Sequence, residues 1–547
     1  MAERILRGRP ASPGLAIGPL VRLPPVTVRP ADAVLERQGD HLVLREQVDT
    51  PTERARLEAA IERAREELAH LAATSDDMGA DILEFQQALL EDDTFREETV
   101  AAIDNGESAP SAWNHVLWRH TLTYEDSDDE YFRARASDLR DVSARVLRAM
   151  GGAEDRPLPM LPGGVVVGED LAPSSFLALD WSVMGGVALE RGSPSSHVAM
   201  LARARGVPMA TNLGEVPESG DAVLDAEDGL LVLRPAAATR AAYLARLDRR
   251  RRDEAEATAL LTRPATTATG ERVEVMLNID DPAAVGDDLL NAADGVGLFR
   301  TEFLFIGKAR LPDEGEQLEA YARLLDRLRG KPCIVRTLDI GGDKPLPGLD
   351  LPAETNPFLG LRGLRLCLDR PDLFQPQVRA LLRAAIYGPL KVMLPMVATA
   401  AELVEARAFF ARCLAELHAA GAEARMPPLG IMVETPAAAV TVDLLEADFF
   451  SIGSNDLTQY VMAASRDGEG RVGALNDPLQ PAVLRLIDQV VWHGLTSGIP
   501  VSLCGDMASD AAGAAALLGL GLRRLSVAPA ALGRVKQAVA RFGSGNG

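Results

Sequence analysis

Cysteine and histidine are scarce in this chain, with four and seven copies among 547 residues. The cysteines, Cys333, Cys367, Cys413 and Cys504, are scattered, with no Cys-Xaa-Xaa-Cys pair and no zinc-ligand spacing. That argues against a disulfide framework and favours a reducing, cytoplasmic setting. No run of about 18 uncharged apolar residues occurs, so no membrane span is expected. The opening MAERILRGRPASPGLA lacks an apolar core of signal-peptide length. Basic charge is also in deficit: 57 Lys and Arg face 79 Asp and Glu, for a net charge of −22. A nucleic-acid binder needs a basic stripe, so that class is disfavoured. An acidic surface suits a soluble protein able to attract a basic protein partner.

What the chain does have is length, and 47% hydrophobic residues with which to build cores. The length suits roughly two to four domains. Residues 5–23 alternate apolar residues with Gly and Pro and read as short strands. Between residues 40 and 150 the texture is helical, as in PTERARLEAAIERAREELAHLAA and SDLRDVSARVLRAMGG. Strand texture returns in PGGVVVGED, VMGGVALE and DAVLDAEDGLLVLRP. This order predicts an α/β domain built from residues 1–39 and 151–235, with a helical subdomain inserted at 40–150. Residues 236–262 form a polar helix without a clear apolar face, which reads as a linker.

From residue 263 to 547 eight apolar, β-branched runs recur, each followed by helix-like sequence: VEVMLNI, DGVGLFR, CIVRTLDI, KVMLPMV, LGIMVET, FFSIGSN, VSLCGDM and RLSVAP. Near-continuous apolar strands alternating with helices imply a parallel sheet covered on both faces. Eight of them predict a closed (β/α)8 barrel, with an open doubly wound sheet as the alternative.

In a barrel, chemistry sits where strands end. Arg300 and Glu302 follow VGLF, Arg336 and Asp339 close CIVRTLDI, and Glu434 closes GIMVET. Asn455 and Asp456 close SIGSND, and Cys504 and Asp506 close VSLCGDM. Arg362 lies in NPFLGLRGLR, and Arg466 follows SIGSND. Converging arginines can hold a compact anion through fork-shaped donors. The carboxylates Glu434 and Asp456 can hold Mg2+, which takes only one or two protein carboxylates and leaves positions for water and phosphate oxygens. The face therefore suits a small phosphorylated acid with Mg2+, and phosphoryl transfer. A single strand-end Arg is more often a salt-bridge partner; the repetition at successive ends is what points to a site.

No barrel residue is an obvious phosphoryl acceptor, since His418 and His493 sit in helix-like segments. RGSPSSHVAMLARARG instead places His197 at a helix start. There, free backbone N–H groups and the helix dipole favour an incoming phosphate and keep imidazole neutral. Ser195 or Ser196 could orient the ring or cap the helix.

These motifs resemble a known family. GLFRTEFLF, RTLDIGGDKPLP, NPFLGLRGLR, GIMVETPAAA, FFSIGSNDLTQY and LCGDMASD, with ASPGLAIGP, DDEYFRARASDLRDVSARVLR and the His197 segment collinear ahead of them, are similar to phosphoenolpyruvate–protein phosphotransferases, enzyme I of the bacterial sugar phosphotransferase system. The resemblance covers nearly the whole chain. It implies a swivelling phosphohistidine β/α domain with an inserted helical subdomain, followed by the barrel. It implies that His197 is phosphorylated, that Arg300, Arg336, Asn455, Asp456 and Arg466 bind phosphoenolpyruvate, and that Glu434 and Asp456 ligate Mg2+. It implies that Cys504 protonates the enolate to give pyruvate. The helical insert would dock a histidine-containing carrier protein of the HPr kind, for which the acidic and apolar mixture of ILEFQQALLEDD is suited. The barrel would form a homodimer.

Some positions depart from the family pattern. GSPSSH replaces the usual Gly-Gly-Xaa-Thr-Ser-His, SRDG replaces Asp-Arg-Gly-Asn around Arg466, and CGDMA replaces CGEMA or CGELA. Two other readings compete. A pyruvate, phosphate dikinase or phosphoenolpyruvate synthase would carry a nucleotide-grasp domain, and no Gly-rich phosphate loop precedes the His197 segment. A non-catalytic regulatory relative would be expected to lack at least one of the Arg, Glu, Asp, Cys or His residues retained here.

Overall fold

The computed structural model describes residues 3–23, 33–38, 41–46, 49–74, 77–125, 130–151, 159–194, 196–305, 310–341, 355–466 and 470–544. Ser195, residues 342–347 of the RTLDIGGDKPLP motif, residues 467 and 468 of SRDG, and residues 128–129 of DDEYFR lie outside them. The chain divides into two compact units, Met1–Arg249 and Arg250–Gly547.

The first unit is built on strands β1 (Arg4–Arg7), β2 (Arg9–Ser12), β3 (Leu15–Arg22), β4 (Ala33–Gln38), β5 (His41–Glu46), β6 (Val165–Gly168), β7 (Gly186–Leu189), β8 (Met209–Thr211), β9 (Asp221–Asp225) and β10 (Leu230–Leu233). Eight of them form one sheet in the order β1-β10-β9-β3-β6-β7-β8-β2, while β4 and β5 pair as an antiparallel hairpin. Helices α1 (Thr50–Thr74), α2 (Asp77–Glu91), α3 (Asp93–Asp104), α4 (Ala109–Glu125) and α5 (Glu130–Ala149) lie in the chain between β5 and β6. Helices α6 (Pro173–Leu177) and α7 (His197–Ala204) follow, and α8 (Ala237–Leu260) contains the division between the units.

The sequence reading starts the helical insert at residue 40. The first helix starts ten residues later, at Thr50, because AVLERQ and HLVLRE pair residue for residue from Ala33↔Glu46 to Gln38↔His41. The five helices have a core of their own, with Leu57, Leu68, Leu83, Trp113, Leu117 and Leu139 fully buried. The apolar half of ILEFQQALLEDD is part of that interior: Ile82, Leu83, Leu89 and Leu90 are buried, while Glu84, Glu91, Asp92 and Asp93 are exposed. The surface of that motif is therefore mainly acidic, with Phe85 half-buried. Among the described residues, the large apolar groups left exposed on this layer are Trp118 and Leu122, one turn apart on α4.

The second unit is a closed barrel of eight parallel strands: β11 (Glu274–Ile279), β12 (Val296–Arg300), β13 (Cys333–Arg336), β14 (Leu390–Leu394), β15 (Leu429–Val433), β16 (Phe450–Ile452), β17 (Val501–Leu503) and β18 (Arg524–Val527). Each falls on one of the eight runs read from the sequence, and β18 closes on β11 through pairs such as Val275↔Leu525. Every strand is buried almost throughout, as expected for parallel strands covered by helices. Outward residues such as Leu277, Phe299 and Val335 pack against the helical ring. Leu298, Ile334, Met393, Met432, Phe449 and Cys504 form a separate cluster. Side chains alternate along a strand, so this second set faces the barrel interior.

All four cysteines are free and buried, and among the described residues no helix is long and apolar enough to cross a membrane. Phe410 is fully buried and meets Phe374 edge-on at 6.0 Å between ring centroids. Phe410→Ala is expected to cost about 3–5 kcal/mol of stability, measurable as a lower denaturation midpoint at unchanged slope.

Candidate active site

Strand alternation delivers the polar residues to one place. Two residues beyond the inward Leu298 is Arg300; beyond Ile334 is Arg336; beyond Met432 is Glu434. These three strands thus carry apolar groups in the interior and a charged group at the C-terminal mouth. Asp280, Arg300, Glu302, Arg336, Asp339, Arg362, Glu434, Asn455, Asp456, Arg466, Cys504 and Asp506 line a single cavity of about 540 Å³. The eleven barrel residues singled out from the sequence are all among them. His197 belongs to the other unit, and His418 and His493 do not line the cavity.

The charges are joined in a chain. Arg336 reaches Glu302 (3.1 Å) and Asp339 (3.1 Å); Arg362 spans from Asp339 (3.0 Å) to Asp456 (3.2 Å); Arg466 closes on Asp456 (2.6 Å). Glu302 also accepts the Asp339 backbone N–H at 2.7 Å. Arg336 and Arg362 are buried, with 8% of each side chain exposed, whereas Arg300 and Arg466 keep 33% and 37%. The buried pair are struts. The other two have donors turned to solvent, although Arg300 also bonds Asp280 at 2.9 Å. Two buried polar atoms in the chain, Arg336 Nε and Glu302 Oε2, have no hydrogen-bond partner among the described residues.

Glu434 accepts the backbone N–H of Met396 at 2.7 Å, and Met396 holds φ at 59° to present it. Left-handed backbone in a non-glycine residue is costly and is kept only where its surroundings enforce it. Burial, then the charges of Asp456 and Asp339, push the Glu434 carboxyl up to about 8. Four guanidinium groups face six carboxylates around the cavity. That acid excess, with two carboxylates repelling each other, fits a divalent cation held by Glu434 and Asp456. Among the described residues no group of three or more His, Cys, Asp or Glu converges as a metal cage.

Cys504 is 2% exposed, and burial raises its thiol pKa, so it keeps its proton at neutral pH. Asn278 fixes its backbone, donating to the Cys504 carbonyl at 2.9 Å while accepting from Ser526 at 2.7 Å. A Cβ at Gly505 would lie 1.8 Å from Ser454 Oγ, so only glycine lets β17 approach the helix Ser454–Met462 this closely. Asn455 is locked to Asp506, donating to its carboxylate at 2.8 Å and accepting its backbone N–H at 2.9 Å.

In the first unit His197 is the first residue of α7. Ser196 caps the helix, its hydroxyl accepting from Ala199 N–H at 3.3 Å. Arg203, two turns on, donates to the carbonyls of Pro194 (2.8 Å) and Ala11 (2.7 Å), tying the loop to β2. The ring is 13% exposed, and its Nδ1 lies 3.3 Å from Oδ2 of Asp138 on α5.

The family described as "PEP-utilising enzyme, PEP-binding domain" matches residues 254–543, its "N-terminal" part residues 7–135 and its "mobile domain" residues 160–232. The phosphoenolpyruvate-protein phosphotransferase of Staphylococcus carnosus is 39% identical over 504 residues, covering 90% of this chain and 88% of that one. The chain belongs to the phosphoenolpyruvate-protein phosphotransferase family. It is an enzyme, as the family's members are. The phosphotransferase of Geobacillus stearothermophilus is likewise 39% identical, over 96% of this chain and 91% of its own. Among solved structures, an enzyme I protein determined by NMR in solution aligns with 45% of this chain and 99% of its own at 26% identity and a TM-score of 0.36.

Sequence reasoning passed over Asp280, Asn278 and Asp138. The two-residue step from Met276 to Asn278 to Asp280 along β11 would have found the first two. Asp138 had no local signal, being 59 residues from His197 on a helix read as part of the insert.

Asp339 carries two buried guanidinium groups. Asp339→Ala is expected to cost about 3–5 kcal/mol, since it leaves both without that partner, and chemical denaturation checks it. Glu434 yields a pH prediction. With a folded pKa raised from 4.5 to about 8, the folded state retains a proton that the unfolded chain has released. Stability from this group is therefore full at low pH and falls as pH rises through that window. In metal-free protein, Glu434→Gln should flatten the fall in melting temperature between about pH 5 and about pH 8.

Proposed function

We propose that this chain takes the phosphoryl group of phosphoenolpyruvate onto His197 with Mg2+ bound, releases pyruvate, and passes the group to a histidine on a small HPr-like carrier protein. This is the first step of a sugar phosphotransferase system. The observation that carries the reading is the charged barrel mouth, in which eleven residues named from sequence line one cavity.

Arg300 and Arg466, the half-exposed arginines, present donors to the phosphoryl and carboxylate oxygens, and Asn455 adds an amide. Arg336 and Arg362 hold the carboxylates in register and add positive potential behind them. Glu434 and Asp456 would hold Mg2+, which supplies Lewis-acid stabilisation of the enolate and phosphoryl oxygens. His197 Nε2 attacks phosphorus, the bridging P–O bond breaks, and its electron pair leaves on the enolate oxygen. Cys504, protonated at neutral pH, gives its proton to C3.

The exposed Trp118 and Leu122, with the acidic groups at the end of α2, suit a docking surface for a basic carrier. Val440, Leu444, Trp492 and Leu495 are exposed on packed neighbouring elements of the barrel unit and support a homodimer through it. Four reduced cysteines and the absence of a spanning helix among the described residues are in keeping with a cytoplasmic enzyme.

Incubation with 32P-labelled phosphoenolpyruvate and Mg2+ tests the reading. Wild type should acquire acid-labile label and release pyruvate, His197→Ala should acquire none, and chelation of the metal should slow labelling by roughly 10²-fold or more. Label persisting in His197→Ala would put the nucleophile elsewhere. A folded wild type that acquires none would favour a regulatory protein on the same fold.

A further inference from the structure

The ring of His197 faces a carboxylate contributed by the helical layer. Asp138 has no exposed side-chain surface, and its Oδ2 lies 3.3 Å from His197 Nδ1. Its Oδ1 is 3.4 Å from the Gln86 amide nitrogen of α2. One turn further along α5, Asp141 takes the same Gln86 amide at 3.0 Å, the Ser174 hydroxyl at 2.7 Å and the Ser174 backbone N–H at 3.0 Å. The Asp141–Ser174 contact ties α5 to α6. Nδ1 makes no closed hydrogen bond among the described residues; the contact with Asp138 is at ion-pair distance and grows in strength as the ring becomes positive.

We propose that Asp138 is a positioning residue for phosphoryl transfer, holding the proton on Nδ1 of His197 and balancing the charge the ring carries once Nε2 is phosphorylated. The proposal rests on His197 being the nucleophile. A neutral imidazole carries one N–H, and an ionised carboxylate only accepts. A bare Nδ1 lone pair against Asp138 would be repelled, so the proton resides on Nδ1 and the Nε2 lone pair is free to attack. When the N–P bond forms and the enolate departs with the P–O electron pair, the Nδ1 proton stays, and the ring becomes a phosphorylated imidazolium beside a buried anion. In onward transfer the N–P electron pair returns to Nε2. A ring kept protonated at Nδ1 is the better leaving group, so the same contact serves both directions. The helical layer would then contribute a group to the chemistry as well as a surface to a partner.

The test uses the full chain labelled with 15N-histidine, in wild type, Asp138→Asn, Asp138→Glu and Asp141→Asn, with His197 signals assigned by their loss in His197→Ala. Wild type should show the Nδ1–H tautomer. Asp138→Asn should mix the tautomers and slow both labelling from 32P-phosphoenolpyruvate and return of the label to pyruvate by roughly tenfold or more. Asp138→Glu should recover part of both. Asp141→Asn, equally buried but facing Ser174, should lower the melting temperature and leave the rates within about twofold. A wild-type Nε2–H tautomer, or a folded Asp138→Asn with unchanged tautomer and rates, overturns the proposal, and the wild-type spectrum decides the matter if Asp138→Asn does not fold. Label mapped by mass spectrometry to a residue other than His197 overturns the nucleophile assignment itself, an outcome the tautomer spectrum does not mimic.

Discussion

The barrel mouth depends on an alternating row of charges, buried along Glu302–Arg336–Asp339–Arg362–Asp456 and ending on the part-exposed Arg466. Desolvating any one of the buried groups alone would be prohibitive, and each is tolerated because the next stands within about 3 Å. The row runs from the end of β12 to the end of β13, crosses to the loop before Leu364, and reaches the helix that follows β16. It holds loops from separate parts of the sequence in one geometry before any ligand arrives. Preorganised charge of this kind needs no rearrangement when negative charge develops on a substrate, which is the general source of electrostatic catalysis.

The barrel below is built to support that row. Strand alternation sends Leu298, Ile334 and Met432 inward, so the next inward positions, Arg300, Arg336 and Glu434, emerge at the mouth. The apolar interior excludes water from beneath, which is why Glu434 binds its proton so tightly and why the Cys504 thiol stays protonated. Close backbone approach at Gly505 and the left-handed turn at Met396 are local costs that the surrounding packing sustains. The first unit repeats the theme on a smaller scale, with the buried carboxylates Asp138 and Asp141 sharing Gln86 and facing His197 and Ser174.

The amino-acid sequence by itself determined a parallel sheet of eight strands covered by helices, because eight β-branched runs, each followed by a helical pattern, have few other ways to bury both faces of a sheet, and the pairing of β18 with β11 decided that the sheet closes as a barrel. It also marked the strand ends as chemical, because Arg, Glu, Asp and Cys recur there, and it placed His197 at a helix start, where Ser196 is the cap. Only the tertiary structure decided what those residues do to one another. Arg336 and Arg362 differ from Arg300 and Arg466 in burial, not in sequence context. The side chains of ILEFQQALLEDD were divided by the packing of five helices, Ile82, Leu83, Leu89 and Leu90 to the core and the acidic groups to the surface. Asp138 met His197 across two layers of the fold. Strand periodicity is a local property, written in neighbouring residues; burial, pairing and shifted pKa values depend on groups distant in the chain, and these become neighbours only once the chain has folded.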